Sequence, residues 1–193
     1  MLRLVLALVL ALFAFPSFAQ INPKSPPTQT APDVQVKRMG ISGATEKVVG
    51  IVRVGERAPD FTLLAATGGN VRLKDTRGTR VALFFANRRD DLPEIVALAA
   101  TLDSLQVRTI VVCNERVTTL AQWNTGAHAS FPIASDDRGD IAAMYGLWDA
   151  AATSTRPGLF LLDEYGVVKL AVLGQHVRAP SLRGLVQTAV EGL

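Results

Sequence analysis

Few side chains in this sequence are equipped for chemistry at sulfur or at a metal: Cys113 is its single cysteine, and His128 and His176 are its only histidines. A third chemical feature is Asn87-Arg88-Arg89-Asp90-Asp91, set between the apolar run ending Phe84-Phe85-Ala86 and a helical pattern that begins at Leu92. A helix N-terminus presents unpaired N–H groups and the positive end of a dipole, so it favours an anion there, a thiolate of lowered pKa or a carboxylate. The anion in this position is Asp91, expected to cap the helix, with Pro93 in the first turn and Glu94 completing an Asp-x-x-Glu box. Arg88-Arg89 beside Asp90-Asp91 reads as a solvated loop with local charge pairs, each worth about 0–1 kcal/mol. An anion or partner contact is the functional alternative.

Cys113 ends the β-branched run Val107 to Cys113, typical of a buried parallel strand. Free cysteines are among the most buried residue types, so the plain reading is a core residue. The sharper reading is topological. If this strand runs parallel to Val81–Phe85, both carboxyl ends lie on one sheet edge, where ligand crevices form in open α/β sheets. Cys113 would then look into a pocket flanked by Arg88 or Arg89, with a lowered pKa, and react with oxidants or form a mixed disulfide. Without a second cysteine, turnover would need an external thiol reductant.

Other residues carry less. The isolated histidines lack the paired ligands of a metal site, and neither a metal nor another cofactor is expected. Asp136-Asp137-Arg138-Gly139-Asp140 lacks the ligand spacing of a cation loop and reads as turn and cap chemistry. Ser130 and Ser135 have no histidine–carboxylate pattern beside them. Trp123 and Trp148 read as amphipathic packing residues near the sheet edge.

The elements that must position these groups follow from periodicity. Phe61–Leu64 and Asn70–Leu73 flank a glycine turn and read as a hairpin. Arg80–Phe85 is a short apolar strand, Leu92–Leu105 a helix, and Val107–Cys113 a strand. Val117–Ala127 reads as a second helix, Phe131–Ala134 as a brief strand and Ile141–Tyr145 as a short helix. Gly158–Leu162 and Val167–Val172 alternate around Asp163-Glu164-Tyr165-Gly166, a second hairpin. Ser181–Val190 closes the chain as a helix. This order implies an α/β sandwich around a mixed sheet.

Residues 1–19 read as a secretory signal peptide, because 16 of the 19 are apolar, Arg3 is the lone charge, and small residues at Ser17 and Ala19 precede Gln20. Its uncharged run Leu4–Phe15 is shorter than the roughly 20 residues that span a bilayer core. An uncleaved anchor is the alternative. Residues 20–53 divide into a Pro/Thr-rich tether to about Val34, which cannot bury enough apolar surface to fold, and an irregular arm or added strand over Val36–Val54. Residues 54–193 form one domain. The formal net charge of +3, with dispersed Lys and Arg, excludes a nucleic-acid footprint and gives no reason for membrane contact once the leader is removed. Nothing in the sequence sets an oligomeric state.

Four motifs occur in a familiar order: Val54-Gly55-Glu56-Arg57-Ala58-Pro59-Asp60-Phe61-Thr62-Leu63, Val81-Ala82-Leu83-Phe84-Phe85, Met144-Tyr145-Gly146, and Gly158 through Val168. Together they resemble the alkyl hydroperoxide reductase/thiol-specific antioxidant family, the peroxiredoxin-like redoxins of the thioredoxin superfamily. The resemblance implies a thioredoxin-like α/β fold with an N-terminal β-hairpin, and thiol-dependent peroxide or disulfide redox chemistry. The sequence departs from that pattern at the centre of the chemistry. After Phe84-Phe85 the family's proline is replaced by Ala86 and its threonine by Asp90, and neither the reactive cysteine nor a Cys-x-x-Cys is present. Pro157 stands six residues before Asp163, where the family's arginine would be and where thioredoxin-type redoxins carry a cis-proline; Arg156 is one residue off register. The expectation is an exported, degenerate redoxin acting as a non-catalytic binding module for a peptide, thiol compound or other partner. A one-cysteine thiol peroxidase using Cys113 is the alternative.

Overall fold

The computed structural model describes residues 50–174, 184 and 186–190. The leader, the tether and the arm up to Val49 lie outside these residues, as do His176 and the first residues of the closing helix.

The order is a hairpin, β1 (Thr62–Leu64) and β2 (Asn70–Arg72), then β3 (Arg80–Ala86), α1 (Leu92–Ser104), β4 (Val107–Cys113), α2 (Val117–Ala127), β5 (Ile133–Ser135) and α3 (Asp140–Met144). A short ribbon of β6 (Trp148–Asp149) and β7 (Ser154–Thr155) follows, then β8 (Gly158–Leu162) and β9 (Val168–Leu173). Residues 184 and 186–190 are helical, as the closing pattern requires. The β6–β7 ribbon has no counterpart in the sequence pattern, since two residues per strand are too few to establish an alternation.

Five strands form one sheet in the order β5-β4-β3-β8-β9. β3, β4 and β5 are mutually parallel, while β8 is antiparallel to β3 and β9 antiparallel to β8. The parallel pairs are joined through helices, and the antiparallel pair by the tight Asp163–Gly166 turn, as chain connectivity demands. The central strands are buried on both faces, which explains their continuous apolar runs. One face of β3 carries Ala82, Phe84 and Ala86, packed with Leu92, Ile95 and Leu102 of α1, Leu120 of α2, and Val186 and Val190. The opposite face carries Val81, Leu83 and Phe85, packed with Val71 and Leu73 beneath the hairpin and with Tyr145 and Leu147 after α3.

The opening segment fastens to the far edge of this sheet. Gly55 N donates to Val168 O (2.8 Å), Ala58 N to Gly166 O (2.9 Å), and Tyr145 Oη donates to Pro59 O (2.6 Å). Tyr145 also packs edge-on against Phe61 and Phe160, with ring centroids 6.4 and 5.1 Å away. Burial, with a smaller push from the Asp60 carboxylate, moves its hydroxyl pKa well above the ordinary phenol value, so it stays a neutral donor. Each buried aromatic of this cluster contributes about 2 kcal/mol by apolar transfer.

Candidate functional site at the carboxyl edge of the parallel strands

The register brings the chemically interesting segments to one edge. Ala86 pairs with Cys113 and Cys113 with Ser135, while Phe85 pairs with Gly158, so Arg156 and Pro157 lead into β8 beside the turn that leaves β3. Asn114 N donates to Ala86 O (3.1 Å), and its Nδ2 donates to Asp136 O (2.7 Å), linking the loops after β3, β4 and β5. Ser135 Oγ donates to Glu115 O (2.6 Å), which fixes the start of the β4–α2 loop.

Asp91 does not cap α1 as expected. Arg89–Asp91 form a 3-10 turn that runs directly into the helix, so Asp91 already has helical dihedrals (φ −80°, ψ −18°) and makes no side-chain cap on α1. Its Oδ2 instead reaches back to accept from the peptide N–H groups of Asn87 (3.1 Å) and Arg88 (3.2 Å). Glu115 closes the other side of the turn, its Oε1 accepting from Arg89 N (2.9 Å). The Asp-x-x-Glu box is therefore displaced by one turn, because the 3-10 segment supplies the true start. Pro93 does sit in the first turn of α1.

Cys113 is fully buried, and its alternation along β4 places it on the face shared with Ala86, Leu92, Leu120 and Ile133. It packs beneath α1 and α2 rather than opening into a pocket. Burial pushes its thiol pKa far up, and the negative charges of Glu115 and Asp91 push it further. Peptide N–H groups of Glu115 and Asn114 offset only part of this. The exposed, activated thiol flanked by Arg88 or Arg89 is thus overturned by desolvation and by the sign of the neighbouring charges.

The remaining residues follow their plainer readings or correct them. Among the described residues no peptide bond is cis, so Arg156–Pro157 is trans. Arg156 N donates to Leu147 O (2.7 Å) and Pro157 O accepts from Gly174 N (2.8 Å), bonds that tie this junction to the β6–β7 ribbon and to the end of β9. Asp136 is buried and accepts from Ile141 N (3.3 Å) and Ala142 N (2.9 Å), so the acidic cluster is cap chemistry for α3. Burial raises its pKa, although those backbone donors counteract it. His128 ends α2 in the left-handed region (φ 49°). No group of three or more His, Cys, Asp or Glu side chains among the described residues is placed to hold a metal ion. Trp148 packs its ring into the space that a side chain at Gly139 would need, and Trp123 borders an open apolar groove with Pro93 and Val96.

The sequence patterns did not show the cleft on the outer side of β5. It measures about 500 Å³, and its walls include Leu63 and Leu64 of β1, Arg116 and Thr118 at the start of α2, and Ser135 and Ile141. The visible clue was the adjacency of two loops at parallel-strand carboxyl ends, where such crevices arise.

This sheet order, flanked by helices and preceded by a hairpin, defines a thioredoxin-like fold. It superposes on the crystal structure of peroxidoxin BcpB from Mycobacterium tuberculosis with a TM-score of 0.65 at 17% identity, covering 74% of this chain and 98% of that one. Enterococcus faecalis AhpC gives a TM-score of 0.64 at 17% identity, covering 72% of this chain and 93% of that one. Residues 54–171 match the AhpC/TSA family model, and the chain belongs to that family. A peroxiredoxin of Pyrococcus abyssi is 27% identical over 137 residues, 63% of each chain, so this chain spans less than two-thirds of that relative's length. An alkyl hydroperoxide reductase E of Mycobacterium tuberculosis is 27% identical over 146 residues, 65% of this chain and 88% of that protein.

Proposed function

We propose that this chain is an exported member of its family that binds a partner at the carboxyl edge of β3, β4 and β5 and does not turn over peroxide. The family's chemistry is thiol-dependent peroxide reduction, and that chemistry needs a thiolate at the substrate. One observation carries the reading: the chain's single thiol, Cys113, is fully buried in the helix-side core with its ionisation opposed by burial and by two carboxylates. At the turn after β3, Asp91 takes up the peptide N–H groups of Asn87 and Arg88. Loops from β3, β4 and β5, cross-linked through Asn114 and Ser135, then offer a fixed surface for a peptide, a thiol compound or another protein.

The test is stopped-flow peroxide consumption by the mature protein with excess dithiol, run beside Cys113→Ser. The expected result is background consumption in both. Consumption that disappears in the variant would replace this reading with a one-cysteine peroxidase. Export has its own test: the N-terminal sequence of protein recovered from outside the cytoplasm should begin at Gln20, and recovery from the cytoplasm with Met1 retained would refute it.

A further inference from the structure

We infer that residues 50–59 and α3 form one opening unit, a strap and the element it holds, whose release moves a wall of the cleft beside β5 without unfolding the sheet. The inference does not depend on whether the carboxyl edge binds a partner.

The strap meets the α3 region at both of its ends. Gly50 N donates to Ala143 O (2.9 Å) in the last turn of α3, and Pro59 O accepts from Tyr145 Oη (2.6 Å), one residue past that helix. The first contact is a close crossing of two backbones. A Cβ at Gly50 would collide with Met144 O, and one at Gly146 (φ 75°) would come within 2.8 Å of Gly50 O. Between the ends, Gly55 N bonds to Val168 O (2.8 Å), Val168 N to Glu56 O (2.9 Å) and Ala58 N to Gly166 O (2.9 Å). The strap thus runs from α3 to the start of β9.

Burial shows how weakly each piece stands alone. Within the strap only Val52 and Ala58 are buried; residues 53–57 are exposed, as is Ile51. A segment held by edge backbone bonds and two side chains opens at a lower free energy than a packed strand. α3 is no more independent, because its five residues are too few to persist as an isolated helix. Asp136 holds its first turn through Ile141 N and Ala142 N, and the strap overlies its last. Val52 and Ala58 of the strap enter the same core cluster as Ala142 and Tyr145. Lifting the strap uncovers that side of the cluster and removes the Tyr145 acceptor, so α3 loses its support in the same event. Asp140 and Ile141 of α3 line the cleft, and the opening displaces them with the helix.

The experiment is native-state amide hydrogen exchange by NMR on the full mature chain, in urea below the unfolding midpoint. Amides of Gly50, Gly55, Ala58 and Val168 report the strap. Those of Ile141 and Ala142, bonded to Asp136, report the cleft wall, and those of Ala143 and Tyr145 the rest of α3. Val111 N, bonded to Pro132 O (3.1 Å), reports the central sheet. Strap and α3 amides should converge on one opening free energy that lies below that of Val111. Gly50→Ala, which forces the backbone crossing apart, should speed both sets about tenfold and leave Val111 unchanged. Val52→Ala, which removes a strap anchor without altering α3, should do the same about tenfold and carries the test if Gly50→Ala fails to fold. Three results would each overturn the inference: strap amides opening below α3 amides in the unaltered chain, both sets exchanging only together with Val111, or a rise in the variants that leaves Ile141 and Ala142 unchanged.

Discussion

Of the turns closed by an aspartate that gathers peptide N–H groups, those at Asp163 and Asp91 differ in what surrounds the carboxylate. At the β8–β9 turn, Asp163 is buried; its Oδ1 accepts from Tyr165 N (3.0 Å) and Val167 N (2.8 Å), and its Oδ2 lies 3.4 Å from Lys169 Nζ. After β3, Asp91 is only half-buried and accepts over longer distances from Asn87 and Arg88. The same device therefore holds a hairpin together in one place and takes up the peptide N–H groups of the turn that leaves β3 in the other. Exposure, more than bond count, separates the two carboxylates.

The comparison can be broken most directly at Asp163. Replacing it with Ala empties a buried position and removes two short bonds and the Lys169 contact at once, and should cost about 2 kcal/mol in urea unfolding. Asp91→Ala, where the carboxylate is half-exposed and its bonds are longer, should cost about 1 kcal/mol and leave the near-ultraviolet signature of the core intact. A loss at Asp91 equal to that at Asp163 would contradict the contrast.

Acidity sharpens it by sign. Burial alone would raise the Asp163 pKa, but bonds from Val167, Lys169 and Tyr165 outweigh it and hold the carboxyl below its ordinary value of 3.8. A depressed folded pKa gives stability that is present above the unfolded value and lost as pH falls through the folded one. Buried Asp136 has the opposite shift, so its contribution is present below 3.8 and lost as pH rises through its folded value. Unfolding titrations should show Asp163→Asn flattening the acid limb and Asp136→Asn flattening a limb that falls with rising pH. The smallest effect belongs to Lys169→Ala, about 0.5 kcal/mol and reduced by salt, because that lysine is largely solvated.

The sequence was most legible where burial imposes a period. The hairpin turn, β3, α1, β4 and α2 appear close to their expected bounds, and the parallel pairing of β3 with β4 follows from the helix between them. β5 begins two residues later than Phe131, and α3 starts at Asp140 once Asp136 supplies the cap. The site was less legible, for two physical reasons. β4 is apolar on both faces, so the pattern carries no record of which face receives Cys113; only the three-dimensional alternation assigns it to the helix side. The helix start was blurred by a 3-10 segment with the same composition as a cap, which moved the Asp91 bonds back by three residues. The trans bond at Pro157 belongs to the same class, since sequence spacing marks the proline but tertiary contacts select the isomer.

The burial of Cys113 also makes the protein its own stopwatch. With one thiol in the whole sequence, and that thiol sealed between the sheet and α1, a maleimide added under native conditions reacts only when the central strands open. The labelling rate therefore counts those openings directly, without a reporter having to be engineered.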